Sequence, residues 1–214
     1  MKSKITKESR NLLISLLLGD GTISNNNVFK ICHGENQKDY LEWKIKQLNE
    51  AGIRNNGLKC YTVNSGYKVG KTAYYTQLNT ISFVKVLRRV VYNSGSKSFS
   101  RKLLNRIGTK GLAIWYIDDG HINFRKTNGR VCGFYIKISI CKSKDYTQSI
   151  IDFLKEEFNI NFYMFHEGRK NDSYSICCGT REGIKFIELI KPYVLQIPSM
   201  KYKITYNLDR RQDL

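Results

Sequence analysis

Two aspartates recur in matching surroundings, and their residue type limits the chemistry open to them. Asp20 closes the mostly apolar segment 13–21, Asp119 closes the similar segment 112–120, and a glycine follows each. If both segments are helices, each carboxylate lies at a negative helix end, which costs about 0.3–1 kcal/mol for an exposed group. The repeated arrangement therefore favours a bound cation, and oxygen ligands without His or Cys suit Mg²⁺ or Ca²⁺. The alternative is that each aspartate only begins an Asp-Gly turn.

The residues around these aspartates predict how the two segments pack. Ser15 and Gly19 lie four positions apart, so they share one helical face and allow a close approach. The corresponding positions of the second segment hold larger residues, including Asp118, so we expect an asymmetric contact. Gly21 and Gly120 stand where a helix often ends in a residue with positive φ.

The residues that follow each segment also repeat. Alternating apolar and polar residues over 22–32 and 121–141 predict a β-hairpin in each copy. Helical spacing follows at 40–49 and 146–155, and a second hairpin and a last helix complete each copy. The order αββαββα therefore occurs twice, which predicts an α+β fold with two pseudo-symmetric halves. The predicted divisions are residues 1–96, a junction at 97–110, and residues 111–214.

One face of each predicted first hairpin is polar, and it supplies candidate binding residues. We take Lys30 and Ser139 as counterparts, and we place Cys32 and Cys141 at equivalent strand ends. The polar face consists of Thr22, Ser24, Lys30 and Cys32 in the first copy, and of His121, Asn123, Arg125, Lys137, Ser139 and Cys141 in the second.

The charge of the chain points to a polyanionic partner. It carries 36 basic and 18 acidic residues, a net charge of +18. Division at Lys110 gives +14 before and +4 after. Such an excess repels itself in a compact state, so nucleic acid is a better explanation than solubility alone. The globular composition excludes a disordered chain, and no apolar run approaches the roughly 20 residues of a membrane helix, so we expect an intracellular protein with reduced cysteines.

Segments 13–21 and 112–120 resemble the paired LAGLIDADG motifs of homing endonucleases in their single-chain form, and the resemblance covers almost the whole chain. It implies saddle-shaped antiparallel sheets with the two motif helices packed at the central interface. It also implies a monomeric, site-specific double-strand DNA endonuclease of the intron or intein homing type. Such an enzyme cuts a long asymmetric site by Mg²⁺-dependent hydrolysis, whereas Ca²⁺ supports binding without efficient cleavage.

The same resemblance assigns roles to individual residues. Asp20 and Asp119 would bind the metal, and the backbone carbonyls of Gly19 and Asp118 can also face it. A basic residue from the segment that closes each half would complete the site. These residues are Lys97 and Lys203, with Lys201 as a rival to Lys203.

The resemblance further places each sheet along the DNA major groove, where base edges distinguish all four pairs. The polar hairpin faces become the reading surface, and Tyr61, Tyr75 and Gln77 join it. Arg169 and Lys170 lie in a turn and would contact phosphates.

Two other functions remain open on the same scaffold. One is an intron RNA maturase that has lost nuclease activity, and the other is a DNA-binding regulator. Retention of both Asp20 and Asp119 favours the nuclease, because neither alternative requires that pair. We expect His33 and His166 to be ordinary surface or sheet residues, while His121 follows the second motif directly and can face DNA.

Overall fold

The structure is a computed structural model, and it describes residues 5–66, 69–78, 81–93, 95–168 and 172–206. The first half contains α1 (Lys7–Leu18), β1 (Thr22–Ile23), β2 (Phe29–Gly34), α2 (Lys38–Glu50), β3 (Lys59–Thr62), β4 (Thr72–Gln77) and α3 (Ser82–Val91). The second half contains α4 (Arg101–Leu104), α5 (Gly108–Asp119), β5 (Gly120–Thr127), β6 (Arg130–Lys142), α6 (Lys144–Phe158), β7 (Tyr163–His166), β8 (Tyr174–Gly179) and α7 (Thr180–Val194). This order confirms the α+β class and the doubled αββαββα arrangement. Short 3₁₀ helices add Glu35–Gln37 and Pro198–Lys203.

The two motif segments form α1 and α5, which pack against each other at the centre of the molecule. The hydroxyl of Thr6 caps α1 by accepting the Ser9 N–H at 3.1 Å. Both helices are apolar around most of their circumference, and each fully buried Leu or Ile side chain contributes about 1.5–3 kcal/mol. The interface between the halves is therefore part of one continuous hydrophobic core.

Small residues set the contact between these helices, and the contact is asymmetric, as the residue sizes predict. A Cβ atom at Gly19 would overlap the Asp118 carboxylate, and one at Gly111 would overlap the Ser15 hydroxyl. Each close approach thus pairs a larger residue on one helix with a glycine on the other.

The glycines after the motif aspartates differ from the prediction of positive φ. Gly120 has φ −97°, and Gly21 also lies outside the left-handed region. Both glycines serve close packing instead. A Cβ at Gly21 would overlap the Leu16 carbonyl oxygen, and one at Gly120 would overlap the Tyr116 ring.

Each half folds its strands into a four-stranded antiparallel sheet, in the order β1-β2-β4-β3 and β5-β6-β8-β7. Thr22 pairs with Lys30, and His121 pairs with Lys137. Since Thr22 and His121 each lie two residues after the motif aspartate, Lys137 is the counterpart of Lys30, and the pairing of Lys30 with Ser139 is wrong. The first hairpin is shorter than the second, so positions counted along the chain do not give the register.

The placement of Cys32 and Cys141 at equivalent strand ends is also wrong. Cys32 lies within β2 and pairs with Tyr75. Cys141 is exposed, has φ +52°, and falls where the pairing of β6 with β8 becomes irregular between Ile138 and Lys142. This irregularity removes Cys141 from the alternation that its position along the chain suggests.

Further contacts join the two halves outside the helix pair. The Trp43 Nε1–H donates to Gln196 Oε1 at 2.9 Å, and the Ser199 N–H donates to Asp39 Oδ2 at 2.9 Å. Both bonds tie α2 of the first half to the end of the second half. No helix within the described ranges is long and apolar enough to cross a membrane.

The predicted junction at 97–110 contains α4 and the first turn of α5. Its buried Phe99 donates a backbone N–H to Tyr146 Oη at 2.9 Å, so the start of the junction packs on the second half. The division of the chain at residues 96 and 110 stays a prediction.

Candidate active site

Asp20 and Asp119 open into one cleft at the end of the central helix pair. Asp20 follows the end of α1 and keeps 41% of its side chain exposed, and Asp119 is the last residue of α5. Other polar residues that line the cleft are Thr22, Lys97, Ser139 and Lys142. Lys142 is not recognisable from the sequence, because a lysine near a strand end has no distinctive pattern.

The two carboxylates share an excess of negative charge. Burial raises the pKa of Asp119 to about 7, and repulsion from Asp118 and Asp20 adds to the shift. Burial and repulsion from Asp118 also raise the pKa of Asp20, although nearby lysines oppose this. Burial disfavours the charged form of a carboxylate, and a bound cation would offset this effect. The cleft therefore suits a further cation.

Two lysines reach the motif ends, and both bind backbone carbonyls. Lys97 Nζ donates to the Gly19 carbonyl at 2.6 Å. Lys203 Nζ donates to the carbonyls of Ile117 at 2.5 Å and Gly120 at 2.8 Å. Burial lowers the pKa of both lysines, even though the motif aspartates act in the opposite direction. The rival Lys201 is exposed, and it is Lys203 that reaches the second motif.

Asp118 contributes through its side chain. Lys44 Nζ donates to Asp118 Oδ1 at 2.8 Å and to Oδ2 at 3.0 Å, and both side chains are fully buried. The Asp20 backbone N–H donates to Asp118 Oδ2 at 2.9 Å. From the sequence, only the carbonyl of Asp118 is expected at the site, and Lys44 is not expected there because its partner lies 74 residues away.

His33 lies beside this ion pair. We expected it to be an ordinary surface or sheet residue, and that expectation did not include a position beside the motif aspartate. Its Nε2 is 3.0 Å from Lys44 Nζ, and its Nδ1 is 3.1 Å from Gln37 Oε1 and 3.6 Å from Asp20 Oδ2. An ammonium group has only donors, so Nε2 accepts and Nδ1 carries the proton. Burial, followed by the charge of Lys44, lowers the pKa of His33 to about 4, so the ring is neutral at pH 7.

The donor set decides where a metal ion fits. One ligand atom from each of Asp20, His33 and Asp118 lies within 4.8 Å of the others. However, the Lys44 ammonium already binds Asp118 and His33, so a cation fills that position. Asp20 and Asp119 remain as hard oxygen donors with unmatched charge, and this pair fits a divalent cation.

The first sheet presents the predicted polar residues on one face. Lys30 Nζ lies 5.0 Å from the ring centre of Tyr61 and 4.5 Å from that of Tyr75. Cys32 Sγ is 3.6 Å from Tyr61 Oη, and Gln77 pairs with Lys30. The register thus places these residues together, while Thr22 and Ser24 are exposed near the first turn.

The second sheet carries a different surface. Lys137 Nζ binds Glu167 Oε2 at 2.8 Å, and both side chains are largely buried. His121 is exposed beside Lys137, and burial and the Lys137 charge lower its pKa. Asn123 and the exposed Arg125 share this face along β5. Arg169 and Lys170 lie outside the described residues.

Two antiparallel sheets joined by a central helix pair, with an aspartate at the end of each helix, define a two-motif fold with both carboxylates in one cleft. A sequence model of the LAGLIDADG DNA endonuclease family matches residues 10–186, so the chain belongs to this family. The match confirms the resemblance of the two motif segments.

Known proteins share this fold or parts of this sequence. The homing endonuclease I-WcaI, solved bound to its DNA recognition sequence, aligns with a TM-score of 0.78 and 20% identity over 96% of this chain and 89% of its own. At that identity the likeness concerns the fold. Protein RecA of Mycolicibacterium chitae is 28% identical over 213 residues, and Protein RecA of Mycobacterium shimoidei is 28% identical over 205 residues. The alignments cover 94% and 90% of this chain and 47% and 45% of the relatives, so the chain spans about half their length.

Proposed function

We propose that the chain is a site-specific DNA endonuclease of the homing type, which hydrolyses one phosphodiester bond in each strand with bound Mg²⁺. The observation that carries the proposal is the pair of motif aspartates that line one cleft, together with Lys97. Membership of the LAGLIDADG DNA endonuclease family supports it.

The side chains of the cleft divide the chemistry between them. Asp20 and Asp119 would hold the Mg²⁺, which supplies an activated water and neutralises charge on the phosphate. Lys97 fixes the Gly19 carbonyl and keeps two further N–H donors, so it can bind a phosphate oxygen. Lys203 fixes the end of α5 and thereby the backbone on both sides of Asp119.

The two sheets would bind the duplex on either side of this cleft. Their polar faces carry Lys30, Gln77, His121 and Arg125, and a β surface in the major groove can reach base edges. The net charge of +18 supports many phosphate contacts. Because the faces of the two halves differ, we propose a long asymmetric target.

The test is incubation with Mg²⁺ and a library of long DNA duplexes, followed by sequencing of the cut ends. Asp20→Asn and Asp119→Asn each remove a metal ligand, so each should slow double-strand cleavage by at least about 100-fold. Both variants should still bind the selected duplex, as should the unchanged protein in Ca²⁺.

Two outcomes would contradict the proposal. Cleavage at the unchanged rate in either variant would remove the aspartate pair from the mechanism. Binding of DNA or of structured RNA with no cleavage at all would point to the regulator or to the maturase.

A further inference from the structure

We propose that Lys44, Asp118 and His33 form a positioning unit for Asp20 alone, so that the two strand cleavages depend on unlike supports. This inference rests on the proposed function, because it concerns the Asp20 carboxylate as a metal ligand. None of the three side chains would touch the DNA or the metal.

Within the unit, every donor of the Lys44 ammonium has an acceptor. Lys44 has three N–H donors, and three acceptors surround them, namely both oxygens of Asp118 and Nε2 of His33. The side chains of Lys44 and Asp118 are fully buried, and that of His33 is 1% exposed. Buried charges with all partners in place hold one geometry, because any displacement leaves a charge without a partner.

Asp20 is held by this set at its backbone and is flanked at its carboxylate. Its N–H donates to Asp118 Oδ2 at 2.9 Å, and its Oδ2 lies 3.6 Å from the protonated Nδ1 of His33. The N–H groups of Gly19 and Gly21 bond to carbonyls of α1, and the bond to Asp118 gives the intervening Asp20 N–H its partner. The unit thereby sets the direction in which the carboxylate enters the cleft.

In the second half, different residues occupy the corresponding positions around Asp119. The counterpart of Asp118 is Gly19, which has no side chain. The repeat places Ile150 opposite Lys44. The position of His33 has no apolar counterpart fixed by register, because the pairing of β6 with β8 is irregular between Ile138 and Lys142. Ile150 lines the cleft that also holds Asp119. No counterpart of the Lys44–Asp118 ion pair therefore stands beside Asp119 in the described part of the chain.

The difference between the two halves indicates that the unit serves to position Asp20 rather than to stabilise the fold. In the second half Ile150 stands in the place of Lys44 and Gly19 in the place of Asp118, and buried ion pairs are often no more stable than well-packed apolar groups. The fold thus does not require charge at this location. The presence of three buried polar side chains beside Asp20 is explained by their effect on the orientation of Asp20.

The arrangement predicts unequal effects on the two DNA strands. The pseudo-twofold axis that relates Asp20 to Asp119 also relates the two antiparallel strands of a bound duplex. Each aspartate therefore lies nearer to one scissile phosphate. Loss of the unit should slow the strand on the Asp20 side and spare the other, so nicked DNA should accumulate.

The decisive variant removes the unit, as the triple change His33→Ile, Lys44→Ile and Asp118→Ala, in which position 44 takes the isoleucine of its counterpart. All three changes are made together, because removal of one charge alone leaves the other buried without a partner. Lys46→Ile, on the exposed side of α2, is the matched control. Each strand of the selected duplex is labelled separately, and single-turnover rates are measured with Mg²⁺.

We expect the triple variant to cleave one strand at least about tenfold more slowly, to cleave the other within about twofold, and to bind DNA in Ca²⁺ as before. Equal rates on both strands, whether unchanged or equally reduced, would overturn the inference. Failure of the unchanged protein to cut any duplex would instead count against the proposed function.

A second measurement needs neither metal nor DNA, and it does not depend on the folding of the triple variant. Long-range ¹H–¹⁵N spectra of the unchanged protein, labelled at histidine and assigned with His33→Ile, report which ring nitrogen of His33 is protonated. We expect the proton on Nδ1 and a bare Nε2. A proton on Nε2 would overturn the inference, because Lys44 could not then donate to it.

Discussion

At the scale of single residues, Lys97 and Lys203 hold related places but bind differently. Lys97 contacts one carbonyl, that of Gly19, and lines the open cleft. Lys203 is 8% exposed and holds two carbonyls, those of Ile117 and Gly120. Lys97 can therefore turn towards a phosphate with little change in the free energy of unfolding. Lys203, in contrast, is also part of the packing of α5.

Replacement of these lysines should separate catalysis from stability. We expect Lys97→Met to slow cleavage by about 10- to 100-fold at nearly unchanged stability, because it removes a charge beside the phosphate. Lys203→Met should also lower the free energy of unfolding by about 1–3 kcal/mol, since two buried carbonyls lose their donor. Single-turnover cleavage and urea unfolding measure the two effects, with the exposed Lys201→Met as the control.

A variant of Lys97 that weakens DNA binding while cleaving bound DNA at the usual rate would contradict this prediction. Lys97 would then be a phosphate anchor, and the rate would depend on the metal ligands alone.

Residue patterns revealed part of this site and concealed the rest. Asp20 and Asp119 could be found because the same segment occurs twice. Lys44 and His33 could not, because a lysine on an amphipathic helix and a histidine in an alternating strand look alike whether exposed or buried. Their role depends on Asp118, which is distant in sequence and reaches them only through the packing of α1 against α5.

At the scale of elements, the two sheets offer unequal charge to a duplex. Lys30 lies over Tyr61 and Tyr75 and forms no ion pair among the described residues. Lys137, its counterpart, is neutralised by Glu167. The first sheet thus carries an available cation at a position where the second carries a matched pair.

The dependence of DNA affinity on salt should report this difference. We expect Lys30→Gln to reduce the slope of log affinity against log salt by about 0.9, the value for one phosphate contact. Lys137→Gln should change the slope much less, because its charge is already balanced within the sheet. Fluorescence anisotropy across a salt series measures both slopes, and equal reductions in the two variants would refute the assignment.

Element types could be predicted from the sequence, but strand register could not. Alternation identified the polar face that holds Thr22, Lys30 and Cys32, because side chains of a strand point to opposite faces in turn. It could not show that Lys137 corresponds to Lys30, since the hairpins differ in length. Nor could it show the irregularity that sets Cys141 apart, because such a feature depends on the partner strand.

At the scale of the whole molecule, one core and several bonds unite the halves. The bonds from Trp43 to Gln196 and from Ser199 to Asp39 join α2 to the end of the chain. The charge is distributed unevenly, with +14 up to Lys110 and +4 beyond it. A single chain thus supplies both motif helices and two unlike binding surfaces.

We therefore expect a monomer that binds one continuous, asymmetric duplex. Sedimentation of the complex should show one chain per duplex, because both aspartates already lie in one cleft. The resemblance adds that both strands are cut near the centre of the site, across the minor groove, with short 3′ overhangs, which mapping of the labelled ends would show. Two chains on a perfect palindrome would contradict the expectation.

The paired contacts of α1 and α5 also constrain how this molecule can be recombined. Two copies of the first half would place Gly19 against Gly19 and leave each Lys44 without its carboxylate. Two copies of the second half would bring Asp118 against Asp118. If the halves arose by duplication, their divergence at this interface is difficult to reverse, because a change of residue in one half requires a matching change in the other. A chimaera that exchanges α5 with a relative must therefore also exchange α2, and this linkage gives designers of hybrid proteins a specific rule.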